Sequence, residues 1–168
     1  MAKRRTPSQA EAKKLLFSLY TIDHYEWSAR DVREGLASED YVWHSHELSM
    51  ELRWVLDQAV PTFLVIKLAA VVEECTAILW DRRFPEIRER KFSLEEKLTI
   101  LQGVHEVDVT ALRNLWTLRN RCAHSADNTA SWDEYRQNFK KVWDFIDQFA
   151  GKINWDAHLR RGGRSLKA

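Results

Sequence analysis

Arg119-Asn120-Arg121-Cys122-Ala123-His124 closes a helix that is apolar along one side only, and the reading of that helix decides the fold. At about 100° per residue, Leu115, Leu118 and Cys122 point one way, toward a core. Arg113, Thr117, Asn120 and His124 fall on a narrow polar stripe on the opposite side. Such a helix has to lie against other helices, with its polar end facing outward. Arg119 stands roughly 140° around the axis from His124, on the shoulder of the apolar face beside Leu112, Trp116 and Ala123. A guanidinium in that position needs a carboxylate, a phosphate or another subunit, because an unpaired buried charge is costly.

Outward from this helix the chain is punctuated by caps. Thr6-Pro7 can open a first helix running to about residue 36, with Gly35 and Ser38 marking its end. A second is expected over roughly 39–59, and a third after Pro61 to about residue 83, before Pro85. Ser93-Leu94-Glu95-Glu96 is a capping box for a short helix ending at Gly103. Asp108 can cap the helix that carries the hexad. Ser131-Trp132-Asp133-Glu134 opens a last long helix ending before Gly151. The sequence therefore predicts an all-α fold, an antiparallel bundle of about five to six helices. A basic tail is expected over 1–7, one helical domain over 8–152, and a basic flexible tail over 153–168.

Composition narrows the function classes. A chain of 168 residues suits a single core, and 5 glycines and 3 prolines provide little turn material for an all-β fold. The net charge of +1 divides unevenly: residues 1–14 carry +4, residues 158–168 carry another +4, and the stretch between carries −7. Basic ends on an acidic body suit nucleic acid or an acidic partner, and equally suit plain solubility. Cys75 and Cys122 sit among apolar residues and read as buried thiols of a reducing compartment. The stretch 63–80 is the most apolar, but Lys67, Glu73 and Glu74 interrupt it, so it reads as a core helix and not a membrane span. No secretory signal pattern opens the chain, and a cytoplasmic protein is expected.

Most chemical classes lack their residues. There is no Gly-rich phosphate loop, no Ser/His/Asp arrangement and no Cys-x-x-Cys pair. His44 and His46 would point about 200° apart on a helix, so neither a metal nor any other cofactor is expected. Ala123-His124-Ser125 lacks the Lys and Gly of a histidine phosphotransfer site. The hexad remains. His124 at a helix C-terminus meets exposed carbonyls that favour imidazolium, which suits proton transfer near neutral pH. Asn120, one turn earlier, can orient the ring or a phosphate oxygen. Arg113 and Arg121 flank the hexad and can track an RNA backbone. Glu73 shares a stripe with Ile66, Ala69, Thr76 and Trp80 and can orient Arg119. The same residues also admit a plain reading, with His124 as a C-cap, Asn120 its exposed neighbour and Arg119 in a surface ion pair.

Arg119-Asn120-x-x-x-His124 at the end of a bundle helix, followed by a polar loop and a long final helix, resembles the HEPN family (higher eukaryotes and prokaryotes nucleotide-binding domains). The resemblance spans residues 8–152, with its sharp part in the six. It implies a homodimer through the helix of Arg119 and His124, with the two signatures facing each other. It also implies a metal-independent endoribonuclease of prokaryotic defence or toxin–antitoxin systems, with RNA as substrate and an antitoxin or effector-complex protein as partner. His124 is then general base or acid, while Arg119 and Asn120 hold the phosphate. One subgroup that pairs with a nucleotidyltransferase antitoxin has tyrosine two residues after the histidine; here that residue is Ala126. Other members are inactive binding or assembly subunits, which is the alternative for this chain.

Overall fold

Ser8 and Glu11 start the first helix by capping one another. The Ser8 backbone N–H donates to Glu11 Oε2 at 2.7 Å, and the Glu11 N–H donates to Ser8 Oγ at 3.3 Å. The cap thus falls two residues after Thr6, and α1 runs Gln9–Ala37. The computed structural model describes residues 6–37, 51–87, 92–104, 107–124 and 127–155. The expected second helix lies largely outside them, as do His44, His46, Ala126, and both tails save for residues 6–7 of one and 153–155 of the other.

The expected break at Pro61 does not occur. Helix continues from Glu51 to Arg83 through a π-turn at Val55–Ala59. Proline has no N–H to donate and its ring crowds the carbonyl four residues back. The wider turn absorbs both problems: the Val60 N–H reaches back five residues to the Val55 carbonyl, and Pro61 takes a first-turn position in α2, Val60–Arg83. Thr62 Oγ1 donates to the Gln58 carbonyl at 2.8 Å.

The two predicted capping boxes form as read. Ser93 with Glu96 opens α3, Leu94–Gly103, and Ser131 with Glu134 opens α5, Trp132–Ala150. Asp108 Oδ1 accepts from the Thr110 N–H at 2.9 Å at the head of α4, Thr110–His124. Gly151 stops α5 with φ 64°, a conformation that glycine adopts without strain. The fold is all-α, an antiparallel helical bundle with five α-helices and no strand among the described residues.

Ion pairs at each end set the direction of the helices. Arg82 meets Glu11 at 2.7 Å and Arg33 meets Asp57 at 3.2 Å, so α1 runs antiparallel to α2. The start of α5 lies near the start of α2, because Trp132 Nε1 donates to the Leu56 carbonyl and the Ala130 N–H to Thr62 Oγ1. α1, α2, α4 and α5 thus follow one another around the bundle, with α3 against α2 and α4. The core contains Leu15, Leu16, Leu68, Val72, Leu115 and Ile146, all essentially without water contact. Cys75 and Cys122 are buried free thiols, and burial pushes Cys75 up to about 12.

Two features extend past the sequence reading. Ile153 and Trp155 lie against the core, with Trp155 stacked on Trp143 at 5.7 Å between centroids, so the folded body reaches past residue 152. Glu26, only 5% exposed, holds both Arg30 at 3.0 Å and Arg136 at 2.7 Å, joining α1 to α5. Leu115→Ala should cost about 2–5 kcal/mol, and Ser131→Ala about 1 kcal/mol, in urea unfolding of the purified chain. Equal small losses would mean that α4 does not face the core as described.

Candidate functional site

α4 brings the hexad to one end of the bundle. Its buried stripe is Leu112, Leu115, Leu118 and Cys122. On one flank Arg121 faces α5, where it meets Glu134 at 2.8 Å and donates to the Thr129 carbonyl at 3.3 Å. The opposite flank carries Trp116 and Arg119, which by the order of the bundle lies on the outer side toward α2.

Arg119 is half-buried, and no carboxylate forms an ion pair with it among the described residues. The guanidinium lies over the Trp116 ring, 4.9 Å from the centroid, and Nη1 donates to Asn120 Oδ1 at 3.2 Å. A cation on an indole face is held in orientation while keeping most of its donors and its whole charge. Asn120 spends its carbonyl on Arg119 and leaves its amide N–H₂ to donate elsewhere. His124 is exposed at the last position of α4. The structure thus joins Arg119 to Asn120 and leaves His124 on the same helix end with an open ring.

The supporting residues divide. Arg113 is exposed on the outer stripe. Arg121 is committed to Glu134 and Thr129, so it acts as a tether between α4 and α5 more than as a free backbone contact. Glu73 is exposed, although Ala69, Thr76 and Trp80 of its expected stripe are buried. That stripe straddles the waterline of α2: Ile66 and Glu73 fall on its wet side, and no hydrogen bond or ion pair joins Glu73 to Arg119. Trp116, not Glu73, orients the guanidinium. The signal was present in the sequence, since an aromatic three residues before an arginine on a helix sits directly beneath it.

Other groups gather at this end without having been marked in the sequence. The π-turn at Val55–Ala59, Trp132 and a shallow depression lined by Arg30, Arg33, Glu34 and Arg136 lie at the same end of the bundle as His124. Those arginines are answered by Glu26 and Asp57. Among the described residues no group of three His, Cys, Asp or Glu side chains is placed to hold a metal ion.

Comparison with known proteins adds a distant relative. The chain is 23% identical over 126 residues to the uncharacterized protein CXorf38 homolog of Mus musculus, covering 67% of this chain and 39% of the mouse protein. The chain therefore spans about two fifths of that relative's length. No family model matches it, and no solved structure matches it.

The tether has a measurable pH signature. The Arg121 guanidinium, with the Ser131 cap, holds Glu134 down to about 2 from an ordinary 4.5. A depressed carboxylate stabilises the fold above its unfolded value and loses that contribution as the pH falls through the folded one. Glu134→Gln keeps a capping side chain but removes the charge. Its unfolding free energy should fall less steeply than wild type between about pH 4.5 and pH 2. Parallel curves from urea titrations across that range would show that the pair contributes nothing.

Proposed function

We propose that this chain is a metal-independent, HEPN-type endoribonuclease that acts as a cytoplasmic homodimer, with the α4 helices of two copies facing one another. The ribose 2′-oxygen attacks the adjacent phosphorus and the 5′-oxygen leaves. His124 takes the 2′-OH proton or supplies one to the departing 5′-oxygen. Arg119 and the free amide of Asn120 bind the non-bridging oxygens as charge builds on them. Arg113 offers a further contact to the backbone. The products are a 2′,3′-cyclic phosphate and a 5′-OH, so DNA, which lacks the 2′-OH, is not cut. A defence or toxin–antitoxin role follows, with an antitoxin or effector-complex protein as regulator.

The observation that carries this reading is the state of Arg119. It is oriented by Trp116 and Asn120 and paired with no carboxylate among the described residues, five residues before an exposed histidine on the same helix. An oriented, unneutralised guanidinium suits a phosphodiester. The opposing directions of Arg119 and His124 on one helix suit a cleft completed by a second copy. A second reading, a catalytically silent bundle that binds or assembles with a partner, is favoured by exposed Trp54, Phe63 and Ile66, which the core does not use.

Purified wild type, Arg119→Ala and His124→Ala should be incubated with total RNA in excess EDTA, and the 3′ ends of the fragments read. Wild type should give cyclic phosphate ends, and each variant should lose about 100-fold or more in rate. Intact RNA in all three would favour the binding subunit, and cleavage that persists in His124→Ala would place any chemistry elsewhere.

A further inference from the structure

The arrangement at Arg119, a guanidinium laid on an indole, occurs twice more among the described residues. Arg30 lies over Trp27 and Arg136 over Trp132, each with its guanidinium carbon 5.4 Å from the ring centroid. Both donate to one oxygen, Glu26 Oε1, at 3.0 and 2.7 Å. Glu26 is only 5% exposed, whereas the two arginine side chains are 41% and 43% exposed. A single carboxylate beneath thus serves two cations above it. Each spends one N–H on that oxygen, which leaves the other donors and a whole unit of positive charge on the outer side.

Arg33 joins Arg30, Arg136 and Glu34 around a depression of about 510 Å³ that is open to solvent. Its ion pair with Asp57, at 3.2 Å, is exposed. The charges balance in number, since Glu26, Glu34 and Asp57 stand against three arginines, but not in placement. Glu26 lies underneath, Asp57 lies off the lining, and Glu34 is the one carboxylate among the described residues that lines the depression. An anion entering from solvent meets oriented guanidiniums first, and the space suits a nucleotide.

The depression is tied to the hexad through α5. Glu134 and Arg136 stand two residues apart and leave that helix on opposite sides. Glu134 reaches Arg121 of α4, and Arg136 reaches Glu26 of α1. Only the first turns of α5, a width of about 10 Å, separate the end of α4 from the depression. A strand held at Arg119 and His124 that crosses those turns brings its next phosphates over Arg136, Arg30 and Arg33. Trp27, 55% exposed, offers its ring beside Arg30 to an unstacked base.

We infer that the depression formed by Arg30, Arg33 and Arg136 is a second phosphate site, which takes backbone phosphates of the single-stranded RNA that continues from the hexad across the start of α5. This deepens the proposed function and rests on it for the identity of the strand. Glu34 opposes the same phosphates and keeps the site weak.

The full chain and 2′-O-methyl oligoribonucleotides, which bind but are not cut, test it by fluorescence anisotropy. An octanucleotide should bind wild type at least about tenfold tighter than a dinucleotide, which is too short to cross α5. Arg33→Gln leaves Glu26 and its partners alone. It should raise the octanucleotide Kd about fivefold, lower the slope of log affinity against log salt by about 0.7, and leave the dinucleotide Kd unchanged. Arg30→Lys keeps a cation for Glu26 but loses the fork, and should weaken the octanucleotide similarly. Glu34→Gln should tighten it about threefold, a gain that damage to the fold would not produce. An octanucleotide that does not bind, binds no tighter than the dinucleotide, or ignores Arg33→Gln or Glu34→Gln would overturn the inference. Adenosine triphosphate that binds through Arg33 while the octanucleotide does not would assign the depression to free nucleotides instead. Octanucleotide binding through Arg33 by a chain that leaves RNA intact would keep this site and remove the chemistry; RNA cleavage with binding indifferent to Arg33 would do the reverse.

Discussion

Eleven side chains of α2, from Pro61 to Trp80, are removed from water, and every other described helix owes its place to contact with that surface. Burial on this scale is the main favourable term available to a chain of this size. It also explains how a stretch long and apolar enough to cross a membrane by composition can serve as the axis of a bundle. The ion pairs at the helix ends are mostly exposed, and contribute direction more than energy.

The same constraint shapes the site. α4 has to give Leu112, Leu115, Leu118 and Cys122 to the core, which leaves only its flanks and outer side for chemistry. One flank is spent on Arg121 and its tether to Glu134. The other holds Arg119 against Trp116, in a position too dry for a loosely solvated charge and too wet to force a carboxylate beside it. A guanidinium so placed is oriented without being neutralised. The helix then ends at His124, outside the core, where a substrate could reach the ring.

Much of this was legible in the residues. The Ser93 and Ser131 boxes, the Asp108 cap and the Gly151 stop announce their helices because caps are local chemistry, settled within four residues. The apolar face of α4 follows from its periodicity. What was not legible depends on distant parts of the chain or on backbone adjustment. Pro61 looked like a boundary, and a π-turn carries the helix through it. Glu73 looked enclosed because its stripe contains Trp80 and Thr76, but those two are buried and Glu73 is exposed, so the edge of the packed face falls between them. Trp155 lay beyond the last clear period, yet it closes on Phe17, Tyr20 and Trp143. Pairing of Glu26 with Arg30 and Arg136 likewise needs α5 folded back on α1.

The central claim is that the end of α4 receives a phosphodiester. Backbone and side-chain NMR of the labelled chain, titrated with a 2′-O-methyl oligoribonucleotide that binds but cannot be cut, addresses it most directly. The account predicts saturable shifts concentrated at Arg119, Asn120 and His124, with the Arg119 guanidinium and Trp116 indole signals moving together. Saturable shifts centred elsewhere with these residues unmoved, or no shifts at millimolar oligonucleotide, would contradict it.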